Sequence, residues 1–340
     1  MLREDNNAEQ PTVDTNASPS AYGWCFQVGA GITLMLDNVK DFTALKIEGA
    51  SDDIEITLKS GKVYAQAKSV TRIGDQSNAS RNLTSALRLL AQDAGNGDAV
   101  SLIYITNIAN PLSSKTDSAF QYGRSYEFSV LPDDAQKTIL GKVATDFPTD
   151  KFRLHILNFF GEGDNKFQSI KEKIAEFLRE AIDDPSYNKR LLDSWFETFM
   201  VNASDKPDAQ KKLELKKKDV IYPVIALVID APVSENDFNK VCAHDNYAEI
   251  CQQYRKIISA NVCDYEFYAE IIGDFLSKRK SATNLSTYKF DFVKDEWKTY
   301  AARFSAISNG ETREALIKLL LLTIIMQRGK ISEIKEATNL

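Results

Sequence analysis

The stretch from Lys46 to Lys68 constrains the fold more than any other part of the chain. Ile54, Ile56 and Leu58 alternate with polar residues, the period of a strand buried on one face. Thr43–Glu48 reads as the strand before it, and the Lys59-Ser60-Gly61-Lys62 turn reverses the chain into Val63–Lys68. Alternation puts Gln66 and Lys68 on one face and Ala65 and Ala67 on the other. Asp53 enters the second strand and Glu48 closes the first. Carboxylates, an amide and an ammonium are therefore expected to converge on one end of a small sheet. Such a set can hold a divalent cation and activate a water. Asp52 is a competing ligand candidate, although alternation turns it away from the face shared by Asp53 and Glu55.

The flanking pattern is α/β. Ser18-Pro19-Ser20 precedes an expected helix over Tyr22–Val39, in which Gly29 and Gly31 would let another backbone approach. Gln27 is polar in this apolar stretch and reads either as bonded to nearby backbone or as a group beside the site. Leu83, Leu87, Leu90 and Ala91 have helical spacing, and Ala99–Thr106 is a near-continuous apolar run of the kind buried on both faces of a sheet. The order helix–β–β–β–helix–β implies a compact layered α/β domain. Further on, Pro132–Ala144, Phe167–Ile182 and Tyr187–Val201 read as helices and Phe152–Phe160 as a strand, with His155 a structural sheet residue. The polar stretch Asn202–Gln210, with Pro207, reads as a boundary, and the basic run Lys211–Lys218 as a solvated helix end, with a DNA-facing role as the alternative. Tyr222–Ile229 reads as a buried strand, or as a short helix after its proline.

Composition removes several function classes. At 340 residues and 43% hydrophobic, the chain can bury a sizeable core. The net charge of −6 argues against a general polyanion binder, though a local basic groove matters more than the sum. The four cysteines form no CxxC pair and there are only two histidines, which speaks against zinc fingers and histidine-based metallohydrolases or nucleases. Scattered cysteines and the absence of a signal-like opening suggest a soluble, cytoplasmic protein. The apolar run Ala315–Met326 is shorter than the ~20 residues of a membrane span. No Walker motif is present.

The set Glu48, Asp53, Gln66-x-Lys68 resembles the active site of the PD-(D/E)xK, or restriction-endonuclease-like, superfamily, with Gln66 where a glutamate is more common. Together with Phe26-Gln27 on the first helix, it resembles the double-stranded-DNA endonuclease domain of bacterial anti-phage effectors. These include CBASS effectors and the nuclease subunit of Lamassu systems. The resemblance covers roughly residues 20–205. It implies a Mg²⁺- or Mn²⁺-dependent endodeoxyribonuclease with Asp53, Gln66, Lys68 and Glu48 in catalysis. Asp53, Gln66 and Glu48 would ligate the metal, with Gln27 and Asp52 as accessory groups. A catalytically inactive scaffold binding DNA or protein, or an RNA-cutting nuclease, is the alternative.

The expected organisation is a disordered N-terminus over 1–19, the nuclease domain over 20–205 and a mainly helical partner or assembly region over 217–340. Expected partners are double-stranded DNA, defence subunits such as an SMC-like ATPase complex, and further copies of this chain when active, with no membrane. The wide apolar face of Ala315–Met326 and the aromatics around Tyr265–Tyr268 need a cover, either a partner or the chain's own core.

Overall fold

The computed structural model describes residues 18–47, 53–115, 120–204, 214–242, 246–259, 264–279, 284 and 287–340. Glu48, Asp52, the segment around Pro207 and the N-terminus before Ser18 lie outside these. Helix α1 (Ser18–Asp37) leads into β1 (Phe42–Ile47), β2 (Ile54–Leu58) and β3 (Gly61–Lys68), followed by α2 (Ala79–Ala94) and β4 (Ala99–Thr106). The chain continues through β5 (Arg124–Glu127), α3 (Asp133–Leu140), β6 (Phe152–Ile156), α4 (Gln168–Ile182), α5 (Asn188–Ser204) and β7 (Leu215–Lys216). The remainder is helical: α6 (Lys217–Ile229), α7 (Glu235–Phe238), α8 (Tyr247–Ser259), α9 (Tyr265–Arg279), α10 (Tyr288–Glu296) and α11 (Gly310–Thr338).

Among the described residues seven strands form one mixed sheet in the order β5-β6-β4-β3-β2-β1-β7. β1, β2 and β3 are an antiparallel meander, and β4 then lies parallel to β3 through the crossover helix α2. The β2–β3 turn depends on Gly61, whose φ is +146° and where an added Cβ would lie 2.5 Å from the Asp98 carbonyl oxygen. Only glycine accepts that conformation so close to backbone.

Alternation sorts the sheet into two cores. Ile54, Ile56, Val63, Ala65, Ala67, Ile103 and Ile105 face α1, α4 and the C-terminal helices in one large cluster. Tyr64, Leu102, Tyr104, Leu154 and Ile156 face α2 and α3 in a second. On α1 the close approaches at Gly29 and Gly31 are made by side chains rather than backbone. An added Cβ would meet Ile170 Cδ1 at 2.6 Å and Ile47 Cδ1 at 2.7 Å.

One expectation is qualified and two open alternatives resolve. Tyr222–Ile229 is helical, within α6, because apolar residues all round it are buried between other helices. Over its described part the basic run does open a helix, with Lys216 exposed at the N-cap of α6, but it is not solvated throughout. Leu215–Lys216 pairs with β1, and buried Lys217 donates to the Lys40 carbonyl at 3.0 Å, its amine pushed down to about 8 chiefly by desolvation. The apolar face of α11 needs no outside cover: Leu316, Ile317, Leu319–Leu322, Ile324 and Ile325 are all buried within the chain. Phe267 and Tyr268 are buried as well.

Candidate functional site

The β2–β3 register sets the site. Ile54 lies opposite Ala65 and Glu55 opposite Tyr64, so Asp53, one residue before β2, comes level with Gln66. Ile54 and Ala65 point into the larger core, which turns Asp53, Gln66 and Lys68 onto the α2 face. The Asp53 Oδ2 accepts from the Lys68 Nζ at 2.7 Å and from the Ala67 backbone N–H at 2.7 Å. Both side chains are largely covered, with 16% of Asp53 and 25% of Lys68 exposed. Gln66 beside them is fully buried. Glu55 shares the face but lies further along the strand, where it pairs with Lys62 at 3.0 Å.

A polar clamp fixes the end of the sheet that carries these groups. Lys68 pairs with Thr106 across the parallel β3–β4 ladder, and Asn107 follows directly. Buried Asn107 accepts from the Val70 N–H at 2.8 Å and donates to the Val70 carbonyl at 2.8 Å. It also donates to the Tyr22 hydroxyl at 3.2 Å, and that hydroxyl donates to the Phe159 carbonyl. Burial pushes the Tyr22 phenol up to about 12, keeping it a neutral donor. The first turns of α1 are thereby tied to the exits of β3 and β4, with half-buried Gln27 further along the same helix. Sequence reasoning passed over Asn107 and Tyr22. The signal available was a lone amide directly after an apolar strand, where the chain must leave the sheet with its backbone groups satisfied.

Thus Asp53, Gln66 and Lys68 come together, whereas Glu48 and Asp52 lie outside the described residues. Among the described residues no group of three His, Cys, Asp or Glu side chains is arranged to hold a metal. Asp53 and Gln66 nonetheless provide a carboxylate and an amide oxygen on one face, the hard donors that Mg²⁺ takes while keeping several waters. A cleft of about 570 Å³ lies elsewhere, between α5 and α6, lined by Arg190, Asp193, Glu197 and Tyr222 among others. None of the described site residues lines it. Among the described residues no helix is long and apolar enough to cross a membrane. No family model matches the chain, and comparison with curated proteins and with solved structures found no match.

Proposed function

We propose that this chain is a metal-dependent double-stranded DNA endonuclease with a restriction-endonuclease-like core. The observation that carries this reading is the Asp53–Lys68 contact of 2.7 Å at the end of β3, beside Gln66 on the same face. The element order α1-β1-β2-β3-α2-β4, with β4 parallel to β3, supports it. Asp53 and Gln66 would hold Mg²⁺ or Mn²⁺, together with Glu48. When bound, the ion would supply a Lewis acid for the phosphate and acidify a coordinated water. Lys68 would stabilise charge on the phosphate oxygens as they become more negative in the transition state. Asp53, by accepting from Lys68, holds that ammonium at the sheet end instead of leaving it free on its four-carbon stem.

The resemblance through Phe26-Gln27, Glu48, Asp53 and Gln66-x-Lys68 extends the proposal to an anti-phage effector governed by partner subunits or oligomerisation. The burial of α11 removes that helix as the surface through which such control would act.

The test is cleavage of supercoiled plasmid in Mg²⁺ or Mn²⁺, alongside an RNA of similar length. Wild-type protein should nick or linearise the plasmid, and Asp53→Ala and Lys68→Ala should not, while keeping the wild-type circular dichroism. Full activity in EDTA, or in the Lys68→Ala protein, would refute the reading. Cleavage of the RNA alone would move the substrate class to RNA.

A further inference from the structure

Beyond Lys68 the chain makes an exposed turn with an unusual tip. Thr71, Arg72, Ile73 and Gly74 are all exposed, and Ile73, at 76%, is the most exposed large hydrophobic residue among those described. A lone exposed isoleucine is ordinary. This one is held out on a rigid base. The Val70 N–H and carbonyl are both bonded to Asn107 at 2.8 Å, and the Val70 side chain packs against Ala79 and Ile108. Gly74 has φ +78°, which glycine accepts readily. The Asp75 N–H closes the turn onto the Arg72 carbonyl at 3.2 Å. The Asp75 carboxylate then accepts from the Ser77 N–H at 3.0 Å and the Ser77 hydroxyl at 2.7 Å.

Cations lie along the same turn and the start of the helix it enters, with one carboxylate, Asp75, between them. Arg72 adjoins Ile73 in the turn, and exposed Arg81 stands in the first turn of α2. The Lys142 Nζ donates to the Ser80 hydroxyl at 3.1 Å and the Thr84 hydroxyl at 2.8 Å, fixing another cation against that turn. In a chain of net charge −6, these three cations, on the segment that leaves β3 four residues after Lys68 and at the first turn of α2, offer contacts to a polyanion. Affinity for duplex DNA comes largely from cations on phosphates, and proteins that work in a groove often press an apolar side chain against it.

Resting on the nuclease reading, we propose that the Arg72–Gly74 turn engages the DNA duplex next to the scissile phosphate. Arg72 holds a backbone phosphate, and Ile73 packs into the groove against sugars and base edges. Sequence preference near the cut would then depend on the residue at position 73.

The experiment measures binding separately from cutting. In full-length Lys68→Ala protein, which should leave DNA intact, fluorescence anisotropy follows an end-labelled duplex of about 30 base pairs across a range of salt. Arg72→Ala should weaken binding and reduce the slope of log K against log salt by about one. Ile73→Ser should weaken binding several-fold and leave that slope unchanged. Thermal unfolding should not move in either variant, because both side chains are exposed. Two variants that bind as tightly as their parent, while the Lys68-containing protein cuts plasmid, would overturn this inference and leave the nuclease reading standing. A parent that neither binds nor cuts duplex would overturn both. Unchanged duplex binding with altered self-association in Ile73→Ser would make the turn a protein contact and end the proposal.

Discussion

Asp53 and Glu55 are two residues apart on the same face, yet their surroundings separate them. Asp53 meets Lys68 and the Ala67 N–H at the exit of β3, whereas Glu55 meets Lys62 nearer the turn. Asp53→Asn should therefore reduce plasmid cleavage by at least ~100-fold, while Glu55→Gln should leave it near wild type, as initial rates with saturating Mg²⁺ would show. An inactive Glu55→Gln protein would move the site along the strand. Glu55→Gln should cost little stability, since a partly exposed ion pair contributes about 1 kcal/mol or less. His155 makes a different residue-scale case. It is buried on β6 with neither ring nitrogen hydrogen-bonded, and desolvation lowers its pKa to about 4, with Asp37 opposing the shift and Lys173 adding to it. The unfolded chain takes up that proton near pH 6.5, and the native state waits until about 4. Protons thus favour unfolding between those values, and stability should drop as the pH is lowered through the window, by up to ~1.4 kcal/mol per unit from this group. In urea melts at pH 7 and pH 5.5, His155→Leu should show a smaller drop than wild type. An equal drop would assign the dependence to other groups.

At the scale of elements, α11 shows most directly how far sequence carries. Its run Leu319-Leu320-Leu321-Leu322 is apolar on every side, which announces burial and leaves the cover unstated. The cover is internal, from α4, α6, α8, α9 and α10. Leu320→Ala should therefore cost about 2–5 kcal/mol in urea unfolding without changing the elution volume of the folded protein. A stable variant of altered assembly would show that the helix contacts another chain. The β1–β2–β3 meander, α2 and β4 were legible because each carries its own period and a polar or glycine stop. β5 was not, since Arg124-Ser125-Tyr126-Glu127 is an edge strand with three of its four residues exposed and no apolar alternation to announce it. α6 was ambiguous for the opposite reason. A short, continuous apolar run has no period to distinguish a buried strand from a buried helix. In the site, the shared face of Asp53, Gln66 and Lys68 followed from alternation alone. The Asn107 clamp did not, because it joins Tyr22, Val70 and Phe159 from three separate segments.

For the molecule as a whole, the question is whether the first two hundred residues can stand without the rest. Residues beyond 213 do more than follow the sheet. Leu215 and Lys216 pair with Leu45 and Ala44, giving β1 a neighbour on its outer edge. The buried Trp195 indole on α5 donates to the Val220 carbonyl on α6 at 2.7 Å, and Arg190 meets Asp230 at 2.6 Å. Val220, Ile221, Val224 and Ile225 from α6 share one continuous core with Phe26, Ile54, Ala65, Phe177 and Trp195, and α11 packs against α4 in the same cluster. Removing that cover would return many large apolar side chains to water, each worth roughly 1.5–3 kcal/mol. Half a dozen such losses equal the whole stability of an ordinary domain, about 5–15 kcal/mol. A fragment ending at residue 205 should consequently be insoluble or bind a hydrophobic dye without a cooperative melt, despite retaining Asp53, Gln66 and Lys68. Co-expressing residues 214–340 as a separate chain should restore a soluble complex, because the contacts that close the core are non-covalent. A 1–205 fragment that melts cooperatively and cuts plasmid at the full-length rate would show instead that the helical region is a detachable attachment to an independently stable nuclease.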